Sequence, residues 1–335
     1  YGHMLICRDC FADVELRSEV ESNATIQGVC EVCSSRGKLI DSSEFCGFFV
    51  TLLSLYEPSI TGKPVAEIIQ KDWHLFADVH VAEVLLSEAM KDSALDFAIS
   101  DNVDYSKEIK ERVGIWRRLK KSVKHESRFF TSMDEFAEYE YLKPSMSLYA
   151  GRTWLYRSRI TPSGKRKLNA KDMYCPPTAM ATAGRANPVG IPYLYLSDSA
   201  KTTYYEVRAV YLDRLSVGKF EIIHDLSLID FRFELNLWLE YVDSPGRLAD
   251  SVIKKMVINE ISGDLSKPLR RYDSEVEYVP TQLICEFCKE TLQVDGLCFG
   301  SSLYKGGLNY VLFDQNSVRC IRVESHEITT IDIDR

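Results

Sequence analysis

The chain has 335 residues, 45% of them hydrophobic and 27% charged, which is the balance of an ordinary globular protein long enough for two or three domains. Its 49 acids against 41 bases leave a formal charge of -8, which argues against general nucleic-acid affinity. No apolar run approaches the length of a membrane span; FCGFFVTLLSLY at 45–56 reads as a buried helix. Tyr1, Gly2 and His3 read as a tag remnant ahead of Met4, with no secretory signal. Ten cysteines, the first four spelled as Cys-x-x-Cys units, fit a reducing cytoplasm better than a disulfide scaffold.

In chain order, Cys7 and Cys10, then Cys30 and Cys33, form two Cys-x-x-Cys pairs with 19 residues between them. That is the spacing of a four-thiolate zinc site, each pair holding the metal from a tight turn and the segment between closing a small ribbon over residues 1–40. Four thiolates leave no open coordination position, so the expected zinc is structural. The plainer alternatives are four buried thiols or two disulfides. Residues 41–143 read as a helical bundle, with a helix start at Asp41-Ser42-Ser43-Glu44 and three-and-four apolar spacing in 81–90 and 106–123. Residues 107–128 carry nine Lys or Arg against three Glu around an apolar stripe of Val113, Ile115, Trp116, Leu119 and Val123. This segment resembles a HEPN-like helical domain, some members of which are ribonucleases using an Arg and a His a few residues apart; Arg118 and His125 are a loose match to that pair, and a solvated face or an interdomain contact is the simpler reading.

The texture changes near 140–149 from helix to turn and strand. Residues 154–160 alternate as a strand, and a half-buried strand rarely carries two arginines, Arg157 and Arg159, for packing alone. Gly184 to Gly190 is turn chemistry that brings Arg185 and its backbone close to something small, such as a phosphate. Residues 191–196 read as a second strand with Tyr193 and Tyr195 on one face, and 199–210 as a helix carrying Glu206. Arg152, Arg157, Arg159, Lys165, Arg166, Lys167 and Lys171 all precede the next acid, Asp172, a local basic patch where an anionic substrate would enter. Downstream, 219–231 reads as a strand pair with His224 near its turn, more plausibly a satisfied polar residue than a base. Residues 237–265 hold a helix led in by 244–247, and Pro280 opens another in which Cys285 and Cys288 share an apolar face as core residues. Cys298 and Cys320 read likewise as strand core, and 309–333 supply closing strands. No Gly-x-Gly-x-x-Gly follows a strand, which argues against hydride chemistry on a Rossmann fold.

Five of these residues, in order, resemble the RES domain family, named for its Arg, Glu and Ser. Arg157 in LYRSR, Arg185 in GRANP, Tyr195 in YLYLS and Glu206 in TTYYE stand where the family has its arginines, tyrosine and glutamate. DGLCFGSS resembles the family's Gly-(Ile/Leu)-x-aromatic-x-Ser segment, which places the serine at Ser301 with Ser302 as fallback. The resemblance spans roughly 145–313 and implies an ADP-ribosyltransferase-like fold and a toxin that breaks down NAD by phosphorolysis or hydrolysis. It also implies inorganic phosphate as a candidate second substrate and a separate neutralising antitoxin. The helical segment resembles the HEPN-like domain found in front of some RES domains.

The expected chain is therefore α+β: zinc ribbon 1–40, HEPN-like domain 41–143, and a mixed-sheet RES catalytic domain 144–335. Cleaving the nicotinamide–ribose bond builds positive charge on the sugar, so the enzyme must hold the diphosphate and place a negative charge nearby. Arg157 and Arg185 suit the phosphates through paired donors, and Tyr195 the ribose by stacking or hydrogen bonding. Glu206 suits the cationic sugar, and Ser301 the ribose or the incoming nucleophile. The bland readings are an Arg157–Glu206 ion pair, a core tyrosine and a turn serine. Two other functions fit the same cleft: an ADP-ribosyltransferase acting on a macromolecule, and a nucleotide-sensing module without turnover.

Overall fold

The computed structural model describes residues 4–91, 93–138, 140–267 and 275–329. In chain order these form β1 (Leu5–Cys7), α1 (Val14–Asn23), β2 (Ile26–Val29), β3 (Arg36–Asp41), α2 (Ser43–Leu53), β4 (Tyr56–Pro64) and α3 (Val65–Trp73). Next come α4 (Val79–Met90), β5 (Asn102–Tyr105), α5 (Lys107–Val113), α6 (Ile115–His125), α7 (Asp134–Glu138), β6 (Met146–Leu148) and β7 (Trp154–Ile160). They are followed by β8 (Leu194–Ser197), α8 (Ala200–Glu206), β9 (Arg214–Ile222), β10 (Leu226–Asp230) and α9 (Leu237–Asp243). The last are α10 (Leu248–Ser266), α11 (Val279–Glu290), β11 (Gly296–Gly300), β12 (Leu308–Leu312) and β13 (Val318–Glu327). Helices with a mixed sheet make the chain α+β, as expected. Asp13, Asp78, Ser106, Ser199 and Asn236 accept backbone N–H groups at the starts of α1, α4, α5, α8 and α9, so local sequence sets where these helices begin. Among the described residues no helix is long and apolar enough to cross a membrane. The tag-like residues 1–3 and the end of the expected closing strand, 330–333, lie outside the described residues.

By packing, the chain divides into two compact units. The first comprises residues 1–114 and 234–255. It holds a three-stranded antiparallel sheet in the order β1-β3-β2, with α1 connecting β1 to β2. Most of the apolar run at 45–56 lies in α2, and the rings of Phe45 and Phe48 pack tilted and edge-on against Trp238 of α9 at 5.3 and 5.4 Å between centroids. The stretch expected to be wholly helical also contains a strand pair, β4 with β5, whose register breaks between Pro58 and Lys63. Tyr56 and Tyr105 stack across it at 4.7 Å, an aromatic cross-strand pair that period-based reading of the surrounding helices passes over.

The second unit comprises residues 115–233 and 256–335. Its eight-stranded sheet has the order β13-β9-β7-β8-β12-β11-β10-β6, antiparallel throughout except for β10 with β11. One face is buried in a core that includes Leu155, Leu194, Leu196, Phe220, Leu228, Tyr310 and Leu312. The alternate residues Leu297, Phe299 and Val311 are as deeply buried, and α11 lies against β11. The basic α6 buries its expected stripe, while its polar side chains reach acids. Trp116 Nε1 donates to Asp264 at 2.6 Å, and Arg117, Lys120 and Lys124 pair with Glu260, Asp264 and Glu277. The second expected strand starts later than its alternation suggested, at Leu194, and the α8 helix ends at Glu206 because Arg208 turns into the left-handed region at φ 52°.

Candidate active site

β7 and β8 are neighbours in the sheet yet share one registered pair, Tyr156 with Ser197, while β7 is paired along its length to β9 and β8 to β12. The two strands therefore splay. A cavity of about 340 Å³ opens at the seam, at the small end of the range for small-molecule clefts. Arg157, Arg185, Tyr195 and Glu206 all line it, so four residues far apart in sequence share one hollow.

Arg157 enters from β7. Burial, and then the neighbouring Arg159, bring its guanidinium down to about 10, which leaves it cationic at neutral pH. Its Nη1 is buried with no hydrogen-bond partner among the described residues. Such an orphaned donor costs about 1–3 kcal/mol or more on a charged group. The Arg157–Glu206 ion pair, the bland alternative from sequence, does not form; Cys175 is the thiol beside this guanidinium, and burial pushes that thiol up while Arg157 opposes the shift.

Arg185 sits in a tight loop. The Gly184 amide donates to the Asn187 carbonyl at 2.8 Å, and Gln282 Nε2 donates to the carbonyls of Gly184 and Asn187 at 2.8 and 3.0 Å. A side chain at 184 has no room: a Cβ there would lie 2.5 Å from Asn187 Oδ1 and 2.7 Å from the Tyr195 hydroxyl. Arg185 Nη1 donates to the carbonyls of Leu265 and Ser266, each at 3.0 Å, at the C-terminal end of α10 where a cation is favoured. Burial lowers its pKa, and nearby Glu206 pulls the other way. One nitrogen of this arginine is thus committed to structure although the side chain borders the cavity. Tyr195 is committed as well: its hydroxyl donates to Asn187 Oδ1 at 2.8 Å and accepts from the Ala186 amide at 3.1 Å, so it ties the arginine loop to β8.

Glu206 ends α8, and one of its oxygens collects two donors. Ser301 Oγ donates to Oε1 at 2.6 Å and Asn309 Nδ2 donates to the same atom at 2.7 Å. Ser302, by contrast, donates to the Ser266 carbonyl at 2.5 Å, which separates the two candidate serines. Ser158 of β7 and Thr203 of α8 share a buried hydroxyl–hydroxyl bond of 2.5 Å that fixes the helix over the seam. Sequence reading passed over Ser158, Ser197, Thr203 and Asn309, all cavity-lining residues. Asn309 left a signal, an amide inside the apolar run LNYVLF, whereas isolated hydroxyls in a strand and a helix leave none.

Other singled-out residues lie apart from this cleft. His224 is exposed at the turn between β9 and β10. Arg118 pairs with Glu135, and His125 is exposed at the end of α6. Cys285, Cys288 and Cys298 are buried, while Cys320 is half-buried against the sheet core. Lys167 reaches the Val323 carbonyl and Arg159 the Tyr174 carbonyl, so part of the basic patch serves local structure.

In the first unit, Cys7 and Cys10 at the end of β1 meet Cys30 and Cys33 in the turn between β2 and β3. Their four sulfurs lie within 4.8 Å of one another, with Cys7–Cys33 and Cys10–Cys30 both at 3.4 Å. A tetrahedral ion with bonds of about 2.3 Å to sulfur needs its sulfurs about 3.8 Å apart, so this cluster can hold a metal ion. Ser34, at φ 63°, follows the second pair and closes its turn, its amide donating to the Cys30 carbonyl at 3.0 Å, and the Cys33 amide approaches Cys30 Sγ at 3.5 Å. Burial, and then the Cys33 thiol, push the Cys7 thiol up to about 12; a bound cation removes that penalty by stabilising thiolate.

Compared with known proteins, residues 155–333 match a family described as RES domain. Among solved structures the chain is similar to one in the crystal structure of the M. tuberculosis MbcT–MbcA toxin–antitoxin complex. That likeness has 13% identity over 67% of this chain and 93% of that one, with a TM-score of 0.30. No curated protein matches.

Proposed function

Because the chain belongs to the RES domain family, whose match takes in more than half of it, we propose that it is a toxin-type enzyme that consumes NAD by breaking the nicotinamide–ribose bond. The observation that carries this reading is the buried, unpartnered Nη1 of Arg157 on the same cavity as the Glu206 carboxylate, whose Oε2 takes no hydrogen bond among the described residues. A phosphate oxygen satisfies the first, and a sugar turning cationic satisfies the second. Arg157 grips the diphosphate, with the uncommitted part of the Arg185 guanidinium as its second hold. The bond between nicotinamide nitrogen and the anomeric carbon breaks with its electron pair leaving on nicotinamide. Glu206 stabilises the oxocarbenium-like sugar, and a phosphate oxygen or a water adds to the same carbon, the water releasing its proton to solvent. Ser301 holds Glu206 and borders the ribose. Tyr195 acts mainly by holding the arginine loop.

The four cysteines are proposed to hold a structural zinc ion, which would supply folding energy to the β1-β3-β2 sheet. We propose a HEPN-like role for the front helices and assign no ribonuclease role to Arg118, which pairs with Glu135, or to His125, which is exposed at the end of α6. We further propose a cytoplasmic setting and a separate neutralising antitoxin.

The deciding experiment is product analysis of NAD incubated with wild type and Glu206→Gln, with and without inorganic phosphate. Free nicotinamide with ADP-ribose, or with its phosphorylated form when phosphate is present, is the expected result. Label retained on a macromolecule would reassign the site to ADP-ribosyl transfer, and tight binding without nicotinamide release would make it a sensor.

A further inference from the structure

Asn309 has no role in the reaction as just described, yet it is 8% exposed and its side chain lies between two polar groups of the cleft. Its Nδ2 donates to Glu206 Oε1 at 2.7 Å, and its Oδ1 accepts from Ser197 Oγ at 2.9 Å. The acceptor-only carboxylate decides which way the amide faces, because the opposite orientation would set a carbonyl oxygen against it, and the Ser197 hydroxyl then anchors the other end of the amide. Ser301 is arranged in the same sense: its Oγ accepts from the amides of Leu303 and Tyr304 at 3.2 and 3.1 Å, which turns its own proton toward Glu206. Both donors fall on Oε1, and Oε2 takes no hydrogen bond among the described residues. Position in the sheet reinforces this. Ser197 is the cross-strand partner of Asn309 on β12 and also of Tyr156 on β7, in the one rung that joins the two sides of the seam.

We propose that Asn309 is a positioning residue for the reaction: with Ser197 fixing its amide, it locks the Glu206 carboxylate so that Oε2 faces the anomeric carbon. This inference rests on the NAD-cleaving reading. It assigns the sheet seam a task, holding one rung rigid beneath a helix-end carboxylate.

The test is a double-mutant cycle on nicotinamide release from NAD. Asn309→Ala is expected to lower kcat about ten- to a hundredfold, the loss typical of a hydrogen bond to a charged group, with KM changed less than about threefold. In a Glu206→Gln background the same substitution is expected to cost less than about twofold, because it acts through Glu206. Equal losses in both backgrounds would overturn the proposal. Ser197→Ala, a milder change that leaves Asn309 in place, is expected to lower kcat about three- to tenfold with the same split, and it stands in if Asn309→Ala fails to fold. If wild type releases no nicotinamide, the function reading falls by itself. Crystal structures of wild type and of the Asn309→Ala or Ser197→Ala variant then decide the positioning claim. A carboxylate that rotates off Ser301 or becomes disordered upholds it, and one that stays as in wild type refutes it.

Discussion

At the residue scale, Arg157 separates a functional from a structural reading. A buried guanidinium with an orphaned nitrogen is a poor way to stabilise a fold, since apolar replacements of buried charges are often neutral or stabilising. Arg157→Met is therefore expected to hold or raise stability by about 1 kcal/mol while NAD cleavage falls about a hundred- to a thousandfold, a pairing that thermal melts and rate assays would register together. A drop in melting temperature would instead favour a structural role for this side chain. Glu206→Gln is expected to lose activity by a similar factor, because it removes the charge while keeping the shape. For Tyr195 the expected pattern is different. Tyr195→Phe leaves Asn187 Oδ1 and the Ala186 amide unsatisfied, so stability is expected to fall by about 1–3 kcal/mol and KM to rise more than kcat falls. The arginines and the glutamate were legible in sequence because a charge placed in a short strand, a glycine turn or a helix end is seldom there for packing. The task of the Tyr195 hydroxyl was not, since alternation reports which face a side chain takes and nothing about its partner across a loop.

At the element scale, the arginine loop depends on a missing side chain. Gly184→Ala would drive a methyl group into Asn187 and Tyr195, and the expected outcome is a folded protein with sharply weakened NAD binding, measurable by calorimetry. The four-cysteine turns make a second element-scale case. Cys30→Ser, or removal of metal by a chelator, is expected to release the β1-β3-β2 sheet, seen as loss of amide protection over residues 5–41, while the cleft residues keep theirs. Spacing alone announced that cluster, because tight turns at two fixed intervals bring four thiols together without help from the rest of the fold. The β4–β5 pair was not legible: a Pro, a Gly and a register break interrupt the alternation that identifies strands.

At the scale of the whole molecule, the chain enters the second unit at Ile115, leaves it after Phe233 and returns at Met256. The boundary that composition suggests, at 143/144, would cut inside the second unit. Trp116, Phe136 and Tyr141 form an edge-to-face aromatic run ahead of that point, and α6 supplies the ion pairs to Glu260, Asp264 and Glu277. A fragment of residues 144–335 is therefore expected to be less stable than one of 115–335 by several kcal/mol, with burial of about 1.5–3 kcal/mol per large side chain forgone, as melts of the two fragments would reveal.

Pairing between β7 and β8 at a single rung has a consequence for time rather than for shape. Amides facing this seam lack the ladder partners that slow solvent exchange elsewhere in the sheet. They should trade hydrogen for deuterium early in the empty protein and late once a dinucleotide fills the gap, giving a label-based record of occupancy in a variant too slow to turn over.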